Sequence, residues 1–280
     1  MFFEFDDFDV RDRFYAIEEK SQRLNQYIEG LNLEKRHEFR SMCVCAYVYH
    51  DSALDGMVVT GDEISSVFSA ASNRPYVRSR VMQEVKNHRD MIYRLQAEVE
   101  KIRSMNAVYQ CEIVRMNDVV DMHRVLYSNI ARKEAGKLRK AIPLHSAYFH
   151  SFIEPSVVER HLEELCQQTE HPEFRAQHPI NQAVLFHRQF MNVFPFLEGS
   201  GKVGRLCMNG FLMQGGYDFA IIHGSERQRY YETLRDGAEQ FRELLLDNME
   251  SALDAQLKYA GEPDLPKNAP KVVMRMVGLS

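Results

Sequence analysis

Apolar residues recur at steps of three and four along most of the chain, which is the spacing of amphipathic helices. This pattern predicts helices over residues 9–30, 33–50, 77–103, 112–128, 155–170, 179–193 and 225–257, and another that begins near Lys202. Thr60 and Glu63 have the spacing of a capping box and predict one more helix start. The chain is therefore expected to be mostly helical.

Residues 136–155 interrupt the helical pattern. Pro143 and Pro155 bound a stretch of apolar and aromatic residues that suit strands better than a helix. We predict a short β-hairpin within residues 138–153, which makes the fold class all-α with one two-stranded flap. The proline-rich tail after residue 260 is expected to be irregular, with residues 272–277 as a further short strand.

Composition narrows the functional classes. The 280 residues carry a net charge of −5, which argues against a dedicated nucleic-acid binder. Five cysteines without a repeating spacing do not indicate a disulfide framework. The acidic first residues lack the pattern of a signal peptide, and no apolar run has the length of a membrane span. We therefore expect a reduced, cytoplasmic protein without nucleic-acid or membrane partners.

Residues 194–205 join two strongly apolar helical segments and carry the most informative chemistry. Glycines at 199, 201 and 204 free the backbone, so that successive N–H groups can converge on an anion. The start of the following helix adds unpaired N–H groups, and Lys202 and Arg205 add positive charge. Glu198 could hold a divalent metal against phosphate oxygens. The predicted phosphate-binding residues are Gly199, Ser200, Gly201, Lys202, Gly204 and Arg205.

Two plainer interpretations compete with this phosphate site. Gly-Ser-Gly-Lys resembles the end of a P-loop, but Val203 follows Lys202 where Ser or Thr would hold Mg²⁺, and a helix precedes the loop instead of a strand. We reject the P-loop. A glycine-rich helix connection with incidental charges stays open on the loop sequence alone.

The same segment resembles the signature of the Fic (Fido) domain family, His-Pro-Phe-x-Asp/Glu-Gly-Asn-Gly-Arg-x-x-Arg. The matching residues are Pro195, Phe196, Glu198, Gly199, Gly201 and Arg205. The helices that flank the loop also resemble those of the family. VVDMHRVLYSNIARKEAGKLR upstream and SERQRYYETL downstream resemble two further family segments, so the resemblance covers roughly residues 40–240.

The resemblance implies a function. Most Fic proteins transfer AMP from ATP to a hydroxyl of a target protein: the signature His acts as general base, the acidic residue holds Mg²⁺, and the glycine-rich turn with its first Arg cradles the phosphates. Here Phe194 replaces that His, Ser200 replaces Asn and Lys202 replaces Arg. A benzyl group accepts no proton, and loss of a positioned base costs about 10²–10⁴-fold in rate. No residue is therefore assigned as catalytic.

Four other histidines are candidates to replace the missing base. His187 lies two helical turns before Phe194 and is expected to be a buried, hydrogen-bonded structural residue. His145 and His150 fall in the predicted flap, and His223 lies beyond the loop helix. None occupies a position that the family uses for catalysis.

Residues 50–60 (HDSALDGMVVT) resemble the inhibitory helix of many Fic proteins, in which a Glu pairs with the second signature Arg. Asp55 takes the place of that Glu and Gly56 follows it, so both are predicted as regulatory residues. An ordinary helix C-terminus explains Gly56 equally well. Both interpretations stay open.

The sequence is divided into an N-terminal helical extension (1–35), a Fic-like domain (36–250) and a C-terminal helix end with an irregular tail (251–280). Three functions remain: a nucleotide-binding regulatory or signalling module with weak or no AMP transfer, an active transferase with non-standard catalysis, and a structural or assembly protein. The expected cofactor is ATP or another nucleotide with Mg²⁺. The expected partners are a nucleotide, a target protein and, as an open alternative, a second copy in a homodimer.

Overall fold

Helices form all the regular secondary structure in the described part of the chain. The computed structural model describes residues 10–68, 79–104, 114–130, 133–143 and 152–261. The predicted hairpin falls largely on residues 144–151, which lie outside these ranges, as do His145 and His150 and the predicted tail after residue 261. Within the described ranges, no helix is both long and apolar enough to cross a bilayer.

The chain forms two compact units that interleave in sequence. Unit 1 is Met1–Phe5, Asp90–Phe219 and Arg227–Leu244, and unit 2 is Asp6–Arg89, Ala220–Glu226 and Leu245–Ser280. The helices are α1 (Arg11–Gly30), α2 (Leu33–Leu54), α3 (Gly61–Phe68), α4 (Arg80–Ser104), α5 (Met116–Leu126), α6 (Val158–Gln168), α7 (Pro172–Arg175), α8 (Pro179–Val193), α9 (Ser200–Gln214), α10 (Arg227–Asp236) and α11 (Ala238–Ala260). Helices α4 and α11 each contribute to both units.

The packed pair α8 and α9 forms the centre of unit 1. Pro179 at the first helical position starts α8, where its missing N–H is no loss. Every residue of α9 from Ser200 to Met213 is buried, including the charged residues Lys202 and Arg205. Gly204 lets the two helices approach, because a Cβ there would lie 2.9 Å from the Phe190 ring and 3.0 Å from His187.

In unit 2, helix α1 is tied to the C-terminal part of α11 by ion pairs. Arg13 contacts Asp247 and Glu250 at 2.8 Å each, and Lys20 contacts Asp254 at 2.6 Å. These pairs are partly exposed, so each adds little stability and mainly fixes how the two helices align. The core of the unit comes from α2, whose residues 42–48 are all buried.

The predicted helix start at Thr60 is confirmed. The Thr60 hydroxyl accepts the Glu63 N–H at 3.2 Å, and the Glu63 carboxylate accepts the Thr60 N–H at 2.9 Å. These two bonds form the predicted capping box at the start of α3.

Two helical predictions need correction. The helix predicted over residues 225–257 is broken at Gly237, whose φ of +154° lies outside the helical region, and so it forms α10 and α11. The short helix α7 was not predicted, because four residues are too few to show a period.

Candidate functional site

The loop of residues 194–199 joins α8 to α9 and is shaped by Gly199. This glycine precedes the first helical residue and has a φ of +81°. A Cβ at this position would overlap the Tyr127 ring, so only glycine fits on both counts. The first turn of α9 therefore begins against the ring of Tyr127, and it has no side-chain cap.

Ser200 closes this loop through its hydroxyl. The hydroxyl accepts the Phe196 N–H and donates to the Phe196 carbonyl, both at 2.9 Å. A serine has a single O–H donor, and that donor is used here. The Ser200 hydroxyl is therefore engaged within the loop, and its backbone N–H is the group that can face a phosphate.

The N–H groups that can face an anion are those of residues 199–202. Val203 N–H donates to the Gly199 carbonyl at 3.1 Å, and Gly204 lies within the hydrogen-bonded ladder of α9. Gly204 thus allows α8 and α9 to approach each other. Its N–H lies within the helix ladder and does not support the predicted contact with phosphate. The predicted N–H contacts to phosphate are thereby limited to residues 199–202.

Arg205 and Lys202 are both buried at the start of α9. Arg205 is 1% exposed and Lys202 is 4% exposed. The Arg205 guanidinium donates to the Tyr230 hydroxyl at 3.1 Å and lies 5.4 Å from the centre of that ring. The same hydroxyl contacts His187 Nε2 at 2.8 Å. His187 is fully buried in this chain of contacts, which confirms its predicted structural role.

Phe194 fills the position of the signature His and caps the end of α8. Its backbone is left-handed, with φ 45° and ψ 65°, a region where residues other than glycine are strained. Its ring packs against Phe152 with centroids 4.4 Å apart, and the residue is 9% exposed. An apolar aromatic pair therefore stands where proton transfer would be expected.

Arg139 fixes this strained helix end from the side. It is buried, and its guanidinium donates to the carbonyls of Phe194 at 2.7 Å, Ile153 at 2.6 Å and Val193 at 3.2 Å. Its own N–H donates to the Pro195 carbonyl at 2.9 Å. Burial lowers the pKa of Arg139, and the nearby Glu154 carboxylate opposes that shift. A cation on the last carbonyls of a helix also complements the helix dipole.

His123 holds the other side of the loop in a neutral form. Its ring stacks on Phe196 at 3.8 Å, Nε2 donates to the Glu198 carbonyl at 3.0 Å, and Nδ1 accepts the Gly136 N–H at 2.9 Å. Burial, aided by the charge of Lys133, lowers the pKa of His123 to about 3. With both ring nitrogens engaged, His123 does not replace the missing base.

The carboxylate of Glu198 is paired with the ammonium of Lys133. In the described residues, no three His, Cys, Asp or Glu side chains come together as metal ligands would. Since the loop carboxylate already has a cation, these residues as arranged do not fit a resident divalent metal at Glu198.

Residues 113–212, which contain α5, α8, the loop and most of α9, match the model of the Fic/DOC family. The chain carries a Fic/DOC-family domain. The recognised resemblance is thereby confirmed for the segment that holds the signature.

Similarity to curated proteins extends beyond that segment. "Protein adenylyltransferase Fic" of Drosophila mojavensis is 25% identical over 270 residues, which are 93% of this chain and 50% of the relative. The Aedes aegypti protein of the same name is 24% identical over 265 residues, 91% of this chain and 49% of the relative. The chain thus spans about half the length of the curated relatives it matches.

Solved structures support the fold of the chain. Fic-1 of C. elegans superposes with a TM-score of 0.69 at 20% identity, over 89% of this chain and 71% of that one. A Fic domain containing signaling protein from Bacteroides thetaiotaomicron gives a TM-score of 0.71 at 16% identity, over 89% and 96% of the two chains. These likenesses confirm the predicted helical fold class.

Helix α2 ends at the predicted regulatory pair, Asp55 and Gly56. Gly56 has a φ of +79°, the Gly56 N–H donates to the Ala53 carbonyl, and the Met57 N–H donates to the Ser52 carbonyl. This pattern is a Schellman C-cap, so the helix-end interpretation holds for Gly56. Asp55 lies in unit 2 and Arg205 in unit 1. Inhibition by Asp55 stays a prediction.

Four residues around the Fic/DOC loop were missed as functional candidates: Tyr127, Lys133, Arg139 and Tyr230. All four lie in the segments that carried the resemblance, which was a usable signal. Lys133 belongs to a run of charges of ordinary solvent-facing type, and nothing in its neighbours indicates a partner 65 positions away. His223, by contrast, stacks on His50 at 4.2 Å in unit 2, and burial lowers its pKa.

Proposed function

We propose that this chain binds the phosphates of a nucleotide at the start of α9 and transfers AMP weakly or not at all. One observation carries the binding: two cations, Lys202 and Arg205, are buried in the first turns of α9. The positive end of a helix dipole disfavours cations, and an anion there would offset both the dipole and the charges. The N–H groups of residues 199–202 would add direct contacts.

The loss of transfer is inferred from Phe194. Its apolar ring accepts no proton, and the adjacent Phe152 ring leaves an aromatic pair at that point. Such a protein would act through binding, as a regulatory or signalling module of a target protein. The relatives named as protein adenylyltransferases support a nucleotide as the ligand. The partner of the chain is a target protein or, alternatively, a second copy of the chain.

Binding is tested by a thermal-shift screen of ATP, ADP, GTP and CDP, followed by calorimetry. We expect one nucleotide to raise the melting temperature, and Arg205→Gln to weaken its binding more than Lys202→Gln, since Arg makes the stronger charge-assisted contact. Arg235→Gln, in an exposed position of unit 1, is the matched control. Equal affinity in wild type and a Lys202→Gln, Arg205→Gln double variant would refute the site.

Transfer is tested with ATP labelled at the α-phosphate. Neither the purified protein nor lysate proteins should acquire label. Strong labelling that disappears in Gly201→Glu would overturn the proposed loss of activity. Phe194→His restores a ring that can accept a proton, but Ser200 and Lys202 remain changed, so we expect no recovery from this substitution alone.

A structural role is the second candidate, favoured by Ser200. Its hydroxyl accepts the Phe196 N–H and so closes the loop, and the Arg205 guanidinium donates to the Tyr230 hydroxyl. Under this interpretation the signature residues survive because they pack the α8–α9 pair. The nucleotide screen decides between the two, because a purely structural loop would give no shift with any phosphate compound.

A further inference from the structure

Lys133 contacts the loop of residues 194–199 but is not part of the Fic signature. Its ammonium pairs with the Glu198 carboxylate and lies 5.2 Å from the centre of the Tyr127 ring. The Lys133 side chain is 12% exposed, whereas that of Glu198 is 53% exposed. The lysine is therefore a mostly buried, held cation, and the carboxylate is the partner that faces solvent.

This cation stands at the start of α9. The Tyr127 ring beneath Lys133 is the same ring that lies against Gly199. The charge of Lys133 also contributes to lowering the pKa of His123. His123 in turn donates to the Glu198 carbonyl of the loop. Lys133, Glu198 and Gly199 thus form one cluster around Tyr127.

A divalent cation at Glu198 would meet this ammonium. Two cations at one carboxylate repel each other, and a departing Lys133 would lose both its ion pair and its ring contact. Magnesium also requires oxygen ligands in near-octahedral geometry, which a single paired carboxylate does not supply. An ammonium, in contrast, provides three donors and a point charge suited to phosphate.

We propose that Lys133 takes the place of a divalent cation at this loop, so that the phosphates of a nucleotide bind without metal. The inference rests on the proposed nucleotide binding and specifies its chemistry. Glu198 then serves to hold the ammonium in position, and its exposed side leaves the cluster open to a ligand.

Calorimetry of ADP in EDTA and in MgCl₂ tests the proposal. Wild type should bind with similar affinity in both buffers. Lys133→Met should bind about tenfold more weakly in EDTA and recover in MgCl₂, while Lys133→Arg should remain indifferent to metal. The control is Lys137→Met, an exposed lysine four residues later. Binding by wild type that vanishes in EDTA would overturn the proposal.

A titration with Mn²⁺ alone, followed by electron paramagnetic resonance, separates this inference from nucleotide binding. Lys133→Met should bind Mn²⁺ more tightly than wild type, and adding Glu198→Gln should remove that gain. Equal Mn²⁺ binding by wild type and Lys133→Met would refute the role of Lys133, whatever the nucleotide result. A gain in Mn²⁺ binding without any nucleotide binding would refute the proposed function and leave the assignment of Lys133 standing.

Discussion

His123 makes the stability of unit 1 dependent on pH. Its pKa is about 3 in the folded protein and near 6.5 when unfolded, so between these values only the unfolded chain takes up the proton. Stability should therefore fall as the pH falls from about 6.5 towards 3, by up to about 1.4 kcal/mol per pH unit. Urea denaturation at several pH values measures this slope.

The matched variants are His123→Gln and His161→Gln. The first should be less stable than wild type at pH 7, because it loses the stacking on Phe196, but it should show a flatter pH profile. His161 is half-exposed on α6, and its replacement controls for the general effect of exchanging a histidine for glutamine. An identical slope in wild type and His123→Gln would contradict the assignment.

At this scale the sequence identified positions better than roles. Phe194, Glu198, Gly199 and Arg205 were singled out from the sequence because the signature fixes their spacing, and their functional roles stay predictions. The role of Ser200 was not predictable, since a hydroxyl can face a ligand or its own backbone and only the loop conformation decides. The partner of Glu198 came from another segment altogether.

Gly204 allows the close packing of helices α8 and α9. Gly204→Ala should cost about 1–3 kcal/mol, because the new Cβ would meet Phe190 and His187 in a fully packed core. Gly30→Ala is the control: it is also helical, has nothing within 4 Å of the new Cβ, and should stabilise by up to about 1 kcal/mol. Urea denaturation followed by circular dichroism measures both. A stabilising Gly204→Ala would disprove the packing argument.

Arg139 should be the main stabiliser of the α8 terminus. Arg139→Lys leaves one ammonium for the three carbonyls of Val193, Phe194 and Ile153, so buried acceptors lose their donors. We expect a loss of at least about 2 kcal/mol in the free energy of unfolding. The exposed neighbour Lys140→Met should change it by less than about 0.5 kcal/mol. Equal effects of the two variants would contradict this role.

For helices and loops, the predictions from short-range sequence patterns agreed with the structure, whereas features that depend on the folded chain were not predicted. The capping box of Thr60 and Glu63 and the helices on both sides of the loop followed from short-range patterns. The break at Gly237 did not, because an isolated glycine within a helical pattern is usually tolerated. Its backbone geometry became visible only in the folded chain.

For the whole chain, regulation by Asp55 is the prediction that reaches beyond one unit. If Asp55 competes with phosphate for Arg205, Asp55→Gly should bind nucleotide more tightly, by a factor equivalent to at least the ~0.2–1 kcal/mol of an exposed pair, because Arg205 is buried. Calorimetry and the melting temperature are measured on the same variant. A lower melting temperature with unchanged affinity would mean that Asp55 only completes the C-terminus of α2.

The division of the chain into two units was not predictable from its sequence. Periodicity and capping signals are local, whereas each unit combines three segments that are separated in the sequence. The predicted boundaries after residues 35 and 250 remain predictions. The family itself was predictable, because four separated segments agreed in order, and the Fic/DOC match of residues 113–212 confirms it.

The closed loop of Phe196 and Ser200 has a consequence for how a ligand is received. The Phe196 N–H is bonded to the Ser200 hydroxyl, and the Pro195 carbonyl is bonded to Arg139, so the loop backbone is fixed before any ligand arrives. Little conformational entropy is then left to lose on binding. The Phe196 amide hydrogen should exchange with solvent only when α8 and α9 separate as a unit. Added nucleotide should slow this exchange by no more than the factor that corresponds to its stabilisation of the helix pair.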